Sequence, residues 1–193
     1  MKRITTHLMF AAVVLHVGNV SAATLTVITT ADSGPGSLRE AILAANATPG
    51  HDHIHFDIPP AGVVHVIQLA AGLPPITDAL TIDGLTQPGS APNTLVQGFN
   101  ATNLVTLHGG NIPVGPGGDP GLLSTNLVHG LEFRADLVTI RGLRFVDFLQ
   151  GGNMTNLRSA IFMADVRSNV VESCVLGVDA STSIGNPNWG GIT

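Results

Sequence analysis

The chain has no Tyr, a single Trp and a single Cys among its 193 residues, and its only Lys is Lys2. One thiol, Cys174, makes no internal disulfide, so stability must come from packing and backbone pairing. It falls in a strand-like run and reads as a small core residue. Charge is scarce too, at 11% of residues, whereas long amphipathic helices need Lys, Glu and Arg on their exposed faces. The sequence contains no Gly-rich phosphate loop, no nucleotide motif and no Ser-His-Asp arrangement.

The start reads as an export signal over residues 1–23. Lys2 and Arg3 supply the positive end, residues 8–17 are mostly apolar, and Val20-Ser21-Ala22 is a small-residue cleavage site. The apolar run is too short to span a bilayer, His16 interrupts it, and nothing later resembles a membrane segment. Removing Lys2 and Arg3 leaves six basic residues, all Arg, against 13 acidic ones, near −7. That sign excludes a nucleic-acid footprint and argues against anionic membranes. A freely exported product, secreted or at the cell surface, is the expectation. About 170 remaining residues hold one sizeable core, and the 23 Gly fit many short apolar strands joined by tight turns.

Residues 34–56 carry the densest local signals. Ser37 and Glu40 are spaced as a capping box, with the Ser37 hydroxyl accepting from the Glu40 amide and the Glu40 carboxylate reaching back to the Ser37 amide. Leu38, Ile42 and Ala45 share one face, and Pro49-Gly50 ends the segment, which predicts a helix over 37–46. So short a helix is marginal in water and must lie across something apolar. The open end of a stack of β-coils is the expected partner.

Strand candidates surround this helix. Residues 24–30 precede it, and Ile54, Phe56 and Ile58 alternate with polar residues after it. Residues 63–69 form a continuous apolar run that suits a strand buried in a stack, and Leu73-Pro74-Pro75 forces a corner. Farther on, Thr81-Ile82-Asp83-Gly84, Thr106-Leu107-His108-Gly109 and Thr139-Ile140-Arg141-Gly142 share the pattern Thr-(Ile/Leu)-x-Gly, 25 and 33 residues apart. Residues 169–175 form a looser copy, and Gly130-Leu131-Glu132-Phe133 matches Gly142-Leu143-Arg144-Phe145 at 12 residues. Such offsets predict a solenoid in which Ile82, Leu107 and Ile140 stack along one axis, with Gly permitting each bend. Segments 87–103 and 109–121, rich in Pro, Gly and Asn, read as loops gathered on one side to meet a partner. The last residues, 186–193, read as a corner followed by the start of another coil. The chain is therefore expected to be a piece of a longer solenoid, ending before a C-terminal cap, or to associate end to end.

The run Gly36-Ser37-Leu38-Arg39-Glu40-Ala41-Ile42, with Ala45-Asn46 and Asp52-x-Ile54-x-Phe56, resembles the amino-terminal segment of exported bacterial right-handed parallel β-helix proteins. Gly36 stands where the CSLREA-type variant of that segment has Cys. Residues 169–172 and 176–179 resemble the repeats of such proteins. The resemblance implies a fold and a secreted or surface location, and it carries no catalytic residue.

Several residues invite a chemical reading. His51, His53 and His55 alternate and would share one strand face, as a Zn²⁺ site needs, yet Ile54 and Phe56 claim the inward face and no downstream ligand has matching spacing. Asp136, Arg141, Arg144 and Asp147 lie close along the chain, where pectate-lyase or polygalacturonase chemistry would need converging carboxylates, but ordinary ion pairs suit them better. Asp83 and Asp179 occupy turn-like positions that favour bonds to backbone amides. Trp189 is read as covering an edge rather than stacking on a sugar, and Asn46, Asn100 and Asn153 each open an Asn-x-Thr sequon.

The expectation is thus an all-β right-handed parallel β-helix with an N-terminal cap holding one short α-helix. It divides into a signal (1–23), a cap with the first coils (24–80) and further coils (81–193). No residue is assigned a catalytic, cofactor or metal role, and no cofactor is expected. The expected role is structural or adhesive, binding a polysaccharide or surface protein without catalysis. The alternatives are a carbohydrate-active enzyme working along one face and an inert N-terminal piece of a larger exported protein.

Overall fold

The computed structural model describes residues 21–112, 129–148, 159–163 and 165–177. Most of the signal, residues 113–121 of the second loop, Asn153, Asp179, Trp189 and the corner at 186–193 lie outside them. Among the described residues no helix is long and apolar enough to cross a membrane.

The first elements are β1 (Thr24–Val27), α1 (Leu38–Ala47), β2 (Asp52–Phe56), β3 (His65–Gln68), β4 (Leu80–Asp83) and β5 (Val105–His108). After them come β6 (Leu131–Phe133), β7 (Thr139–Arg141), β8 (Leu143–Val146), β9 (Ile161–Met163), β10 (Val170–Glu172) and β11 (Val175–Leu176). They form three sheets, ordered β1-β2-β4-β7-β10, β11-β8-β5-β3 and β6-β9, with every strand pair parallel.

This corrects the expected all-β right-handed β-helix. The described residues form an α/β-like layout, mostly parallel strands in three sheets with one α-helix. The predicted common register of Ile82, Leu107 and Ile140 also fails. Ile82 pairs with Ile54 and Ile140 in the first sheet, whereas Leu107 lies in the second, between Ile67 and Phe145. The physical reason is that Thr-(Ile/Leu)-x-Gly records an inward side chain followed by a tight bend, and strands of two sheets end that way. Gly84 and Gly142 meet at one corner, where a Cβ on Gly84 would lie 2.5 Å from the Gly142 carbonyl oxygen. Gly109 belongs to another corner, against Phe148.

Register explains the core. In-register parallel pairing points equivalent side chains the same way, so Ile54, Ile82 and Ile140 form one buried row and Ile67, Leu107 and Phe145 another. Each such side chain contributes about 1.5–3 kcal/mol on burial. The expected border between residues 80 and 81 falls inside β4, and side chains from both sides of it share one core.

Helix α1 lies against β1 and β2 and buries Leu38, Ala41, Ile42 and Ala45. Ser37 caps it, its Oγ accepting from the Glu40 amide at 3.2 Å. The returning half of the capping box is displaced by one residue. The Ser37 amide donates to the Gly34 carbonyl at 3.1 Å, so the Glu40 carboxylate accepts from the Gly36 amide instead, at 2.8 Å. Arg39 then fixes the helix to a distant turn. Its guanidinium donates to the carbonyls of Gly72 (2.6 Å) and Ala71 (2.9 Å) and to the Asp32 carboxylate (2.8 Å).

Candidate binding surface

The connection from β4 to β5 is an ordered loop, residues 87–103, whose two ends are held by buried amide side chains. Gln87 is 1% exposed. Its Oε1 accepts from the Ile58 amide at 2.9 Å and its Nε2 donates to the Ile58 carbonyl at 2.8 Å, so a side chain does the work of a neighbouring strand. At the other end, Asn103 Nδ2 donates to the carbonyls of Ser173 (2.7 Å) and Leu143 (3.3 Å). Between them Ala91 and Thr102 exchange two backbone hydrogen bonds, at 3.0 and 2.8 Å.

The tip is braced from within. Asn93 Oδ1 accepts from the Asn100 amide at 3.0 Å, and its Nδ2 donates to the carbonyls of Leu95 and Gly98, each at 3.3 Å. Asn100 Oδ1 accepts from the Thr94 amide and its Nδ2 donates to Thr94 Oγ1, both at 2.9 Å. These bonds engage the side-chain amides of Asn93 and Asn100, and beside the exposed Gln97 the tip presents apolar side chains to water: Leu95 at 48%, Val96 at 102% and Phe99 at 48% exposure. Several large apolar side chains displayed together by a braced loop mark an interaction surface. Asn100, which opens one sequon, is exposed and spends one Nδ2 hydrogen on Thr94. Asn46, which opens another, donates to the Pro75 carbonyl at 2.8 Å and accepts from the Thr77 amide at 2.9 Å.

A second surface is the outer face of the first sheet. Register aligns Thr24, His53, Thr81 and Thr139 in one row, and Thr26, His55, Asp83, Arg141 and Glu172 in the next. The histidines do share one face, with ring centroids 5.4 Å apart for His51–His53 and 6.2 Å for His53–His55. His51 Nε2 lies 2.9 Å from Thr81 Oγ1. Among the described residues no group of three or more His, Cys, Asp and Glu is placed to hold a metal ion.

The four-residue cluster Asp136, Arg141, Arg144 and Asp147 is dispersed. Arg141 reaches across to Asp83 at 2.6 Å and stands 3.9 Å from Glu172; the hydrogen bond to Asp83 holds its guanidinium above the usual range. Asp83 also accepts from the Leu85 amide at 3.0 Å, as its turn position implies. Asp136 accepts from the Arg167 amide at 2.7 Å. Asp147 meets His108 Nε2 at 2.9 Å, with His108 Nδ1 accepting from the Gly110 amide at 3.1 Å. Arg144 stands in β8, in register with Thr106 and Val175.

Reading along the chain missed one pair. Ser159 Oγ lies 2.7 Å from His129 Nδ1, both side chains buried. The Ser159 amide also points at Nδ1, at 3.4 Å, which makes that nitrogen the acceptor. Burial lowers the His129 pKa, opposed by the charge of Glu132. A hydroxyl bonded to a neutral imidazole is part of a nucleophile arrangement. Here no described carboxylate is bonded to the other ring nitrogen, and Ser159 is 2% exposed.

Compared with known proteins, the chain matches no protein-family model and no curated sequence.

Proposed function

We propose that this chain is an exported binding module that attaches to a protein partner through the loop 87–103, without catalysing a reaction. The observation that carries the reading is the apolar tip of Leu95, Val96 and Phe99 on a loop anchored at both ends and braced by Asn93 and Asn100. A partner protein with an apolar pocket suits such a tip, since affinity concentrates in a few preorganised apolar anchors. Support for the absence of catalysis comes from the charges. Asp32, Asp83, Glu132 and Asp147 are each engaged with a cation or imidazole. The signal-like residues 1–23 support export.

A glycan bound on the outer face of the first sheet is the second reading, favoured by its rows of Thr and His. One experiment separates the two. The purified protein and its Leu95→Ser/Phe99→Ser variant are screened in parallel against surface proteins and a glycan array. Protein binding lost in the variant at unchanged melting temperature supports the loop. Glycan binding that the variant leaves intact overturns it in favour of the sheet. Release of unsaturated or reducing sugar ends from polysaccharides overturns the non-catalytic role.

A further inference from the structure

Asp52 is fully buried, at the start of β2. Its Oδ1 accepts from the backbone nitrogen of Ala23 at 2.7 Å, and its Oδ2 has no hydrogen-bond partner among the described residues. A carboxylate with one neutral donor and one empty oxygen is costly in such a place, because burial removes the water that would otherwise solvate it. The donor is unusual as well. Ala23 directly precedes β1, its carbonyl is fixed by the His53 amide at 2.8 Å, and Ser21 and Ala22 before it are exposed. It also follows Val20-Ser21-Ala22, the small-residue cleavage site.

We propose that the bond between Ala22 and Ala23 is the processing site, and that the new α-ammonium of the half-buried Ala23 forms an ion pair with the buried carboxylate of Asp52. A signal-removing endopeptidase adds water across this amide. Ala22 keeps the oxygen as a carboxylate, and the Ala23 nitrogen takes the protons to become an ammonium. Where the amide offered one hydrogen, the ammonium offers three, in a position already 2.7 Å from the carboxylate. The charge of Asp52 is matched, and donors become available for the oxygen that lacked one. Cleavage thereby completes the fold's first strand pair. This moves the boundary of the signal from residue 23 to residue 22, because a chain beginning at Thr24 would lack the donor altogether.

The inference rests on the export reading, and its test separates the two. The full chain is expressed in an exporting bacterium, and the product's first residue is read by mass spectrometry. The mature chain has no Lys, since Lys2 is the only one, so its α-amine is its only primary amine. A free α-amine, with a pKa of about 8, is acylated readily at that pH. In the folded product labelling is expected to be slower than in denaturant by about tenfold or more, as pairing with Asp52 and partial burial withhold the amine. Product acylated in denaturant and then refolded is expected to melt lower by about 5 °C or more. Asp52→Asn should abolish the protection. If that variant fails to fold, acylation of the wild-type product still decides the matter. An intracellular, unprocessed product overturns the export reading. Processing elsewhere, or equal labelling of folded and unfolded product, overturns the ion pair alone.

Discussion

His129 and Ser159 form a buried pair 30 residues apart in sequence, with the hydroxyl 2.7 Å from Nδ1 and the imidazole stacked on Phe162 at 4.2 Å and 5°. The ring is held as an acceptor by the hydroxyl and amide of one residue, an arrangement that protonation of Nδ1 destroys.

A pH dependence follows. Burial lowers the folded-state pKa of His129 below its ordinary value of 6.5. The unfolded chain therefore takes up the proton first, and the contribution is whole above pH 6.5 and lost as pH falls through the lowered folded value. Urea midpoints measured from about pH 5 to pH 8 should decline on the acid side. His129→Gln should flatten the part of that decline nearest neutrality. A wild-type profile that the substitution leaves unchanged would assign the acid sensitivity to other groups.

Gln87 should matter to stability far more than its place in a loop implies. Gln87→Ala leaves the amide and the carbonyl of Ile58 buried without partners, which costs about 2–3 kcal/mol. Gln87→Glu keeps the acceptor but loses the donor and buries a charge, and should be worse. Equilibrium unfolding measures both. Limited proteolysis should find the tip near Val96 cut faster in each, since the anchor that holds the loop is gone.

What could be read along the chain was local. The helix and its buried face followed from Ser37 and the spacing of Leu38, Ile42 and Ala45, and the inward face of β2 followed from Ile54 and Phe56. The long-range relationships were hidden, for a physical reason: a repeat such as Thr-Leu-His-Gly reports a strand end but not the sheet it joins. Leu107 consequently went to the wrong stack. The anchors of the loop were equally silent, because a buried Gln or Asn that pairs with a distant backbone looks like any polar loop residue. The boundaries at 87 and 103 coincide with those anchors only because both lie where the strand pattern stops. Asp52 could be placed on the inward face of β2 by its alternation with Ile54 and Phe56, yet its partner, Ala23, becomes visible only in three dimensions.

Arg39 is the residue through which the sequence motif acts at a distance. Its guanidinium bonds two successive carbonyls and a carboxylate, a geometry that the ammonium of Lys cannot reproduce. Arg39→Lys is expected to destabilise the fold by about 1–2 kcal/mol and Arg39→Ala by more. Hydrogen exchange should localise the change. Amides of α1 and of residues 69–73 should lose protection together, whereas those of β7 and β8 keep theirs. Uniform loss across all of them would mean that Arg39 supports the whole core rather than the contact between helix and turn.

Cys174 gives a reading of the far end of the described core. Its thiol packs against that core, lies 3.8 Å from the Ile140 carbonyl, and is pushed by burial from 9.0 up to about 11. Only the thiolate reacts with disulfide reagents, so the folded protein should be nearly inert to them at about pH 8 and become reactive once denaturant is added. The sign for stability is the reverse of that for His129. The folded state resists ionisation, so the contribution is whole below 9.0 and is lost as pH rises toward about 11. Cys174→Ala should remove that alkaline loss while lowering stability at neutral pH, because it leaves a small void beside Ile140. Fast labelling of the native protein at about pH 8 would show that β10 and β11 open on their own, before the sheets they extend.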